Sequence, residues 1–223
     1  MIEGVHLREV IVHRDDRGFV AELFSENFGD RLVHEYRCFV LPGVAKAFHA
    51  HVGSYDSKTD TFVEGQTDRF SAVGRNSIVK VGLIDLRGSL GECEGKGAVL
   101  SYEKMMGHTK TVYGPPLCDT GMWHYFGIDG TARLFREVWP YDEGWIEQVG
   151  ESPTFLEQQT VILHSDDPQV LFIPPGVAHG IYPLSEGGAE IVNSPTVCFR
   201  PECPDELRMP ADSFGFQWRP QSR

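Results

Sequence analysis

A chain of 223 residues that is 41% hydrophobic can bury a substantial core, which excludes a disordered chain and fits one β-rich domain or one domain with a large insertion. Its 32 acidic against 20 basic side chains give a formal net charge of -12, which argues against nucleic acid and requires a local positive cluster for any phosphate-bearing ligand. No basic, apolar leader opens the chain and no run approaches the ~18 apolar residues of a membrane span, so the expectation is a soluble cytoplasmic protein. Five cysteines with no Cys-x-x-Cys pair read as free thiols that mostly serve packing.

The first quarter predicts short strands between turns: Val10 to Val12, Phe19 to Phe24 after Asp15-Asp16-Arg17-Gly18, and His34 to Leu41 up to Pro42-Gly43. A further strand carries His49 and His51, and the polar run Val52 to Gly65 is expected to be a loop. Asp68 to Val73 and Ser77 to Asp85 read as a hairpin around Gly74-Arg75-Asn76, with Val79, Val81 and Leu83 alternating against Lys80 and Gly82. From Gly88 to Asp167 glycine is frequent and three of the four tryptophans occur, so this stretch is expected to be an insertion with strands of its own, such as Ala132 to Val138. Strand patterns return at Val170 to Ile173, His179 to Leu184 and Ile191 to Val192. The tail Cys203 to Trp218 is too rich in Pro, Asp and Gly for a helix and is expected to wrap the surface.

The chemistry gathers in two distant stretches, Gly43 to His51 and Pro174 to His179. On a strand, residues two apart share a face, so the imidazoles of His49 and His51 enter one cavity, and a rolled sheet brings His179 to the same interior. A neutral imidazole takes up protons near neutral pH when a carboxylate orients it. The same side chains also suit a metal. His49, His51 and His179 with Asp68 form a three-histidine, one-acid set for a divalent ion such as Zn, Fe, Ni or Mn, with Gln66 a weaker donor. Asp68 stands seventeen residues beyond His51, across the polar run.

These motifs carry a resemblance. Gly43, five residues, then His49-Ala50-His51, with Pro174-x-Gly176-x-x-His179, resemble the two cupin motifs. Asp16-Arg17-Gly18-Phe19 with Glu22, Lys46-Ala47-Phe48-His49, Asp85-Leu86-Arg87-Gly88-Ser89 and Ile173 to Gly180 are similar to the dTDP-4-dehydrorhamnose 3,5-epimerase group within the cupins. Asn193-Ser194-Pro195-Thr196 and Pro204-Asp205-Glu206-x-Arg208-x-Pro210 resemble an offshoot linked to polysaccharide biosynthesis.

The resemblance implies an all-β cupin jelly-roll barrel spanning 1–223, with the insertion at about 88–167, that forms a homodimer and binds a nucleotide diphosphate sugar. It implies an epimerase or isomerase of a keto-sugar nucleotide that needs no cofactor, with His49 as the base that removes the proton beside the carbonyl. Arg69 or Lys46 would steady the enolate. Arg17 and Glu22 would contact the nucleotide, Lys46 the diphosphate, and His179 the sugar or phosphate. The family's proton-donating tyrosine falls at Asn193, which leaves Tyr182 or Tyr55 as substitutes. The aspartate that pairs with the family's base belongs to a C-terminal segment without a counterpart here. Single-site epimerisation, ketoisomerisation, a metal-dependent cupin and a sugar-binding relative without turnover are the alternatives.

Overall fold

The computed structural model describes residues 1–15, 18–25, 33–51, 54–56, 61–63, 65–87, 112–113, 125–126, 152–154, 157–198, 206–208, 211–212 and 215–219. Its architecture is two five-stranded antiparallel sheets that face each other. One runs in the order β1 (His6–Glu9), β13 (Gln169–Ile173), β8 (Asp68–Val73), β15 (Ala189–Asn193), β4 (Tyr36–Val40). The other runs β12 (Gln158–His164), β9 (Ile78–Asp85), β14 (Val177–Pro183), β5 (Lys46–His51), β16 (Glu206–Arg208). Three two-stranded ribbons complete the set: β2 (Val12–Asp15) with β3 (Gly18–Ala21), β6 (Ser54–Asp56) with β7 (Thr61–Val63), and β10 (Val112–Tyr113) with β11 (Tyr125–Phe126). The described residues form an all-β, jelly-roll type of fold, and none of them lies in a helix long and apolar enough to cross a membrane.

The core lies between the sheets and follows the period of two. Val79, Val81 and Leu83 of β9 meet Val161 and Leu163 of β12, Ile181 of β14, Phe70 and Ala72 of β8, and Ile191 of β15. Lys80 and Gly82, on the opposite face of β9, turn outward as their alternation predicts.

Three expectations need correction. β8 and β9 are not a hydrogen-bonded hairpin: the turn at Gly74 and Asn76, both at positive φ, carries the chain from one sheet to the other. Both strands are buried on two faces, so local alternation could not tell a hairpin from a crossing. The polar run 52–65 is not all loop, because β6 and β7 pair with Tyr55 opposite Phe62. Within the stretch expected to be an insertion, β12 pairs with β9 over seven residues, Gln158 opposite Ile84 to His164 opposite Ile78, and so belongs to the main sheet. The expected strand 132–138 lies outside the described residues.

The tail forms more than a surface wrap. β16 adds to β5, with Glu206 opposite His51 and Arg208 opposite His49. Phe216 and Trp218 then cover the outer face of this sheet at the cross-strand pair Gly82 and Gly180. Phe48, on the same outer side of β5, meets them with ring centroids 5.4 Å and 5.0 Å away. Packing Phe48 outward is the local reason that His49 and His51 point inward.

A buried ion pair closes the end of β9. Arg87 Nε donates to Asp85 Oδ1 at 2.9 Å and Arg87 Nη2 to Oδ2 at 2.9 Å, while the hydroxyls of Ser152 and Thr154 donate to Oδ2 at 2.6 and 2.7 Å. Arg87 also donates to Glu3 O at 2.6 Å, tying the N-terminus to the sheet. The run Asp85-Leu86-Arg87 is therefore structural.

Candidate functional site

Three histidines and one carboxylate meet between the sheets. β5 contributes His49 and His51, β14 contributes His179, and Asp68 begins β8 in the facing sheet. The ligand-capable atoms of the four lie within 4.8 Å of one another. His49 stands edge-on to His179 with centroids 4.1 Å apart and to His51 at 5.3 Å. Asp68 is fully buried, His179 and His51 nearly so, and His49 is half-buried. His49 is the least buried member of the group.

The proton positions follow from the partners. Val177 O only accepts, and it lies 3.0 Å from His179 Nδ1, so that nitrogen carries the proton and a neutral His179 presents its Nε2 lone pair. Nε2 lies 2.8 Å from Asp68 Oδ2, and neither atom has a hydrogen-bond partner of proper geometry. The amide Nε2 of Gln66 is 2.8 Å from Asp68 Oδ1 and 2.8 Å from His51 Nε2, so it donates one proton to each. His51 Nε2 is thereby a second acceptor, 3.3 Å from Asp68 Oδ2. The lone pairs of His179 Nε2 and Asp68 Oδ2 face each other, an arrangement that calls for a proton or a cation between them.

The electrostatics agree. Burial alone would raise the Asp68 carboxyl, but the positive charge of His51 and His179 in their imidazolium form, with His49 behind them, outweighs it and holds the group well below the usual carboxylate range. The carboxylate is an anion whose compensation comes from histidines.

Asn193 fixes the other side of Asp68. Its Oδ1 accepts from the backbone N–H of Arg69 at 3.0 Å, which settles the orientation of the amide. Its Nδ2 then donates to Asp68 Oδ1 and, at 2.9 Å, to the Tyr36 hydroxyl. In register Asn193 lies opposite both Phe70 and Tyr36, so all three share the inward face, and Phe70 touches His179 with centroids 5.3 Å apart.

The remaining expected residues are distributed around this group. Lys46 is exposed at the start of β5, its Nζ 3.2 Å from Cys38 Sγ on β4. Arg69 is buried, its guanidinium held by Ser194 O and, at 3.1 Å, by Ser194 Oγ, with the ring of Phe24 5.6 Å away. It follows Asp68 on β8 and so leaves from the opposite face. Tyr182 is likewise turned away from His179: it pairs with Lys80 on the outer side, three residues along β14. Glu22 is exposed, its backbone N–H bonded to Ile11 O. Arg17 and the side chain of Tyr55 lie outside the described residues. Tyr36 escapes a sequence reading because only the pairing of β4 with β15, remote in the chain, turns it toward Asn193.

Comparison with known proteins places the fold in a defined neighbourhood. Residues 145–223 match the model of the dTDP-4-dehydrorhamnose 3,5-epimerase family. A spore coat polysaccharide biosynthesis protein of Bacillus subtilis, SpsL, is 28% identical over 228 residues, covering 100% of both chains. Among solved structures, a dTDP sugar isomerase from Desulfovibrio desulfuricans superposes with a TM-score of 0.56 at 18% identity, covering 97% of this chain and 92% of the other. The dTDP-6-deoxy-D-glucose-3,5-epimerase of Legionella pneumophila, solved with dTDP-4-keto-L-rhamnose, gives 0.56 at 19% identity, covering 97% and 79%. The structural likenesses establish a shared fold.

Proposed function

We propose that this chain, a relative of the dTDP-4-dehydrorhamnose 3,5-epimerases, is an isomerase that inverts a carbon beside the carbonyl of a keto-sugar nucleotide in polysaccharide or secondary-metabolite sugar biosynthesis. The observation that supports it best is the solvent-reachable His49 set against His179, His51 and a buried anionic Asp68. A carbon acid next to a ketone needs a base of moderate strength, and His49 is the member of the group that a substrate can touch. Asp68 takes the part of the carboxylate expected elsewhere, since the imidazolium that forms on His49 lies beside its negative charge. The exposed ammonium of Lys46 suits the diphosphate, while Arg69 acts through Ser194 and the backbone next to Asn193. A homodimer belongs to the same reading, because β4 is an edge strand among the described residues, with Phe39 and Leu41 exposed.

The test is exchange of the sugar's α-protons with deuterated water, followed by NMR on dTDP-4-keto-L-rhamnose. Wild-type protein is expected to introduce deuterium beside the carbonyl, and His49→Ala to slow this by about 100-fold or more with its melting temperature preserved. Exchange at the wild-type rate in His49→Ala would remove that residue from the chemistry.

One observation favours a second reading. The facing lone pairs of His179 Nε2 and Asp68 Oδ2, within a group of four ligand-capable side chains, fit a divalent transition metal held by His49, His51, Asp68 and His179. Such an ion would polarise the substrate carbonyl. Elemental analysis separates the two: close to one equivalent of metal in the wild type, lost in His51→Ala, supports this reading, and a metal-free protein that still exchanges α-protons excludes it.

A further inference from the structure

The two buried carboxylates among the described residues are held by different kinds of donor. Asp85 meets a guanidinium, which cancels its charge. Asp68 meets two neutral amides, and both settle on the same oxygen: Gln66 Nε2 donates to Oδ1 at 2.8 Å, and Asn193 Nδ2 donates to it from the neighbouring strand β15. Oδ2 receives no donor of proper geometry and stands 2.8 Å from His179 Nε2 and 3.3 Å from His51 Nε2. Amides add no charge, so the negative charge of Asp68 is left to the histidines.

Each amide is itself fixed. Asn193 Oδ1 accepts from the Arg69 N–H at 3.0 Å, and the second proton of its Nδ2 goes to the Tyr36 hydroxyl at 2.9 Å. The stretch that carries Gln66 is tied to the segment after Asn193. Thr67 N–H donates to Thr196 Oγ1 at 2.9 Å, Thr196 N–H to Thr67 O at 3.1 Å, and Ser194 N–H to Arg69 O at 3.1 Å. Gln66 gives the other proton of its Nε2 to His51 Nε2 at 2.8 Å, which sets that ring relative to the carboxylate. A carboxylate otherwise turns easily about its last side-chain bond. Two donors from separate stretches of chain on one oxygen stop that rotation and decide which oxygen faces the histidines. Asn193 is fully buried and Gln66 nearly so, which places them behind Asp68 rather than against a substrate.

We propose that Gln66 and Asn193 are positioning residues for the isomerisation, which together hold Asp68 by Oδ1 so that Oδ2 faces the histidine cluster; this rests on the isomerase reading above. His49 belongs to the same group, with a ring nitrogen within 4.8 Å of a carboxylate oxygen of Asp68. The imidazolium that forms when His49 takes a proton is stabilised by that charge, and the stabilisation depends on how near and how steady the oxygen is. Loss of either amide lets the carboxylate turn and weakens this support, while the base itself stays in place. Gln66 adds a second link, because the amide that holds Asp68 also holds His51.

The experiment is a double-mutant cycle on α-proton exchange of dTDP-4-keto-L-rhamnose in deuterated water. It uses Gln66→Met, which keeps the length of the side chain and removes its donors, Asn193→Ala, and each of these combined with Asp68→Asn, all assayed below the onset of melting. Each single variant is expected to lower kcat for exchange by about 10-fold or more, with KM within about 2-fold of the wild type. Added to Asp68→Asn, which has no charge left to aim, either is expected to change the rate by less than about 2-fold, because effects that run through one group do not add. A merely structural role costs the same factor in both backgrounds, so equal losses overturn the proposal. Exchange at the wild-type rate in either single variant overturns it too. Both results leave the isomerase reading intact, because the wild type still exchanges. If the wild type exchanges no proton of this probe, the isomerase reading fails and the positioning role falls with it.

Discussion

At the scale of single residues, two buried carboxylates among the described residues serve different purposes. Around Asp85 every oxygen lone pair is answered by Arg87, Ser152 or Thr154, and the group is closed. Around Asp68 the partners are imidazoles that themselves gain and lose protons, and one oxygen is left without a hydrogen bond. The first is a clamp and the second a site. Burial works to raise the Asp85 carboxyl, but hydrogen bonds from Arg87, Ser152 and Thr154 outweigh it and lower it. A carboxyl lowered on folding stabilises the native state fully above its unfolded pKa of about 3.9, and that contribution is lost as pH falls below it. Asp85→Asn should therefore cost about 3–5 kcal/mol at pH 7, and its deficit against the wild type should shrink as pH falls toward 3, read from denaturant melts at both pH values. An equal deficit at both would mean that charge is not what the clamp supplies. In the sequence, His49, His51 and His179 were readable as one group from their spacing, and Asp68 only from donor chemistry, since it stands seventeen residues beyond His51. Tyr36 and the detachment of Tyr182 were not, because each depends on which face a strand turns inward after it pairs.

At the scale of elements, the sheet carrying the histidines is set by what lies behind it. Gly82 and Gly180 leave a bare stripe of backbone, and Phe216 and Trp218 fill it. A Cβ on Gly82 would stand 2.6 Å from Phe216 Cε1 and Cζ and 2.7 Å from Trp218 Cη2. On Gly180 it would collide with Ala47 Cβ, beside the strand that bears His49. Gly82→Ala is thus expected to lose about 1–3 kcal/mol through overpacking, seen as a lower thermal midpoint. An unchanged midpoint would show that the tail is not seated there. Strands with period-two alternation, such as β9, were legible from sequence. The tail was not, because its short pairing to β5 and its two aromatic contacts carry no periodic signal, and neither was the crossing at Gly74, since β8 and β9 are apolar or buried on both faces.

At the scale of the whole molecule, the two sheets serve as opposite walls of one reaction space. The wall of β5 and β14 brings imidazoles, and the wall of β8, β15 and β4 brings a carboxylate, an amide and a phenol. No short stretch of chain contains both walls, which is why the cluster needs residues as distant as 36, 68 and 193 to be complete. A crystal structure of the complex with dTDP-4-keto-L-rhamnose tests this arrangement most directly. The account predicts the diphosphate at Lys46 and the sugar between the sheets, with a carbon beside its carbonyl in contact with the His49 imidazole. A ligand bound outside the space between the sheets, or one whose sugar makes no contact with His49, would contradict it.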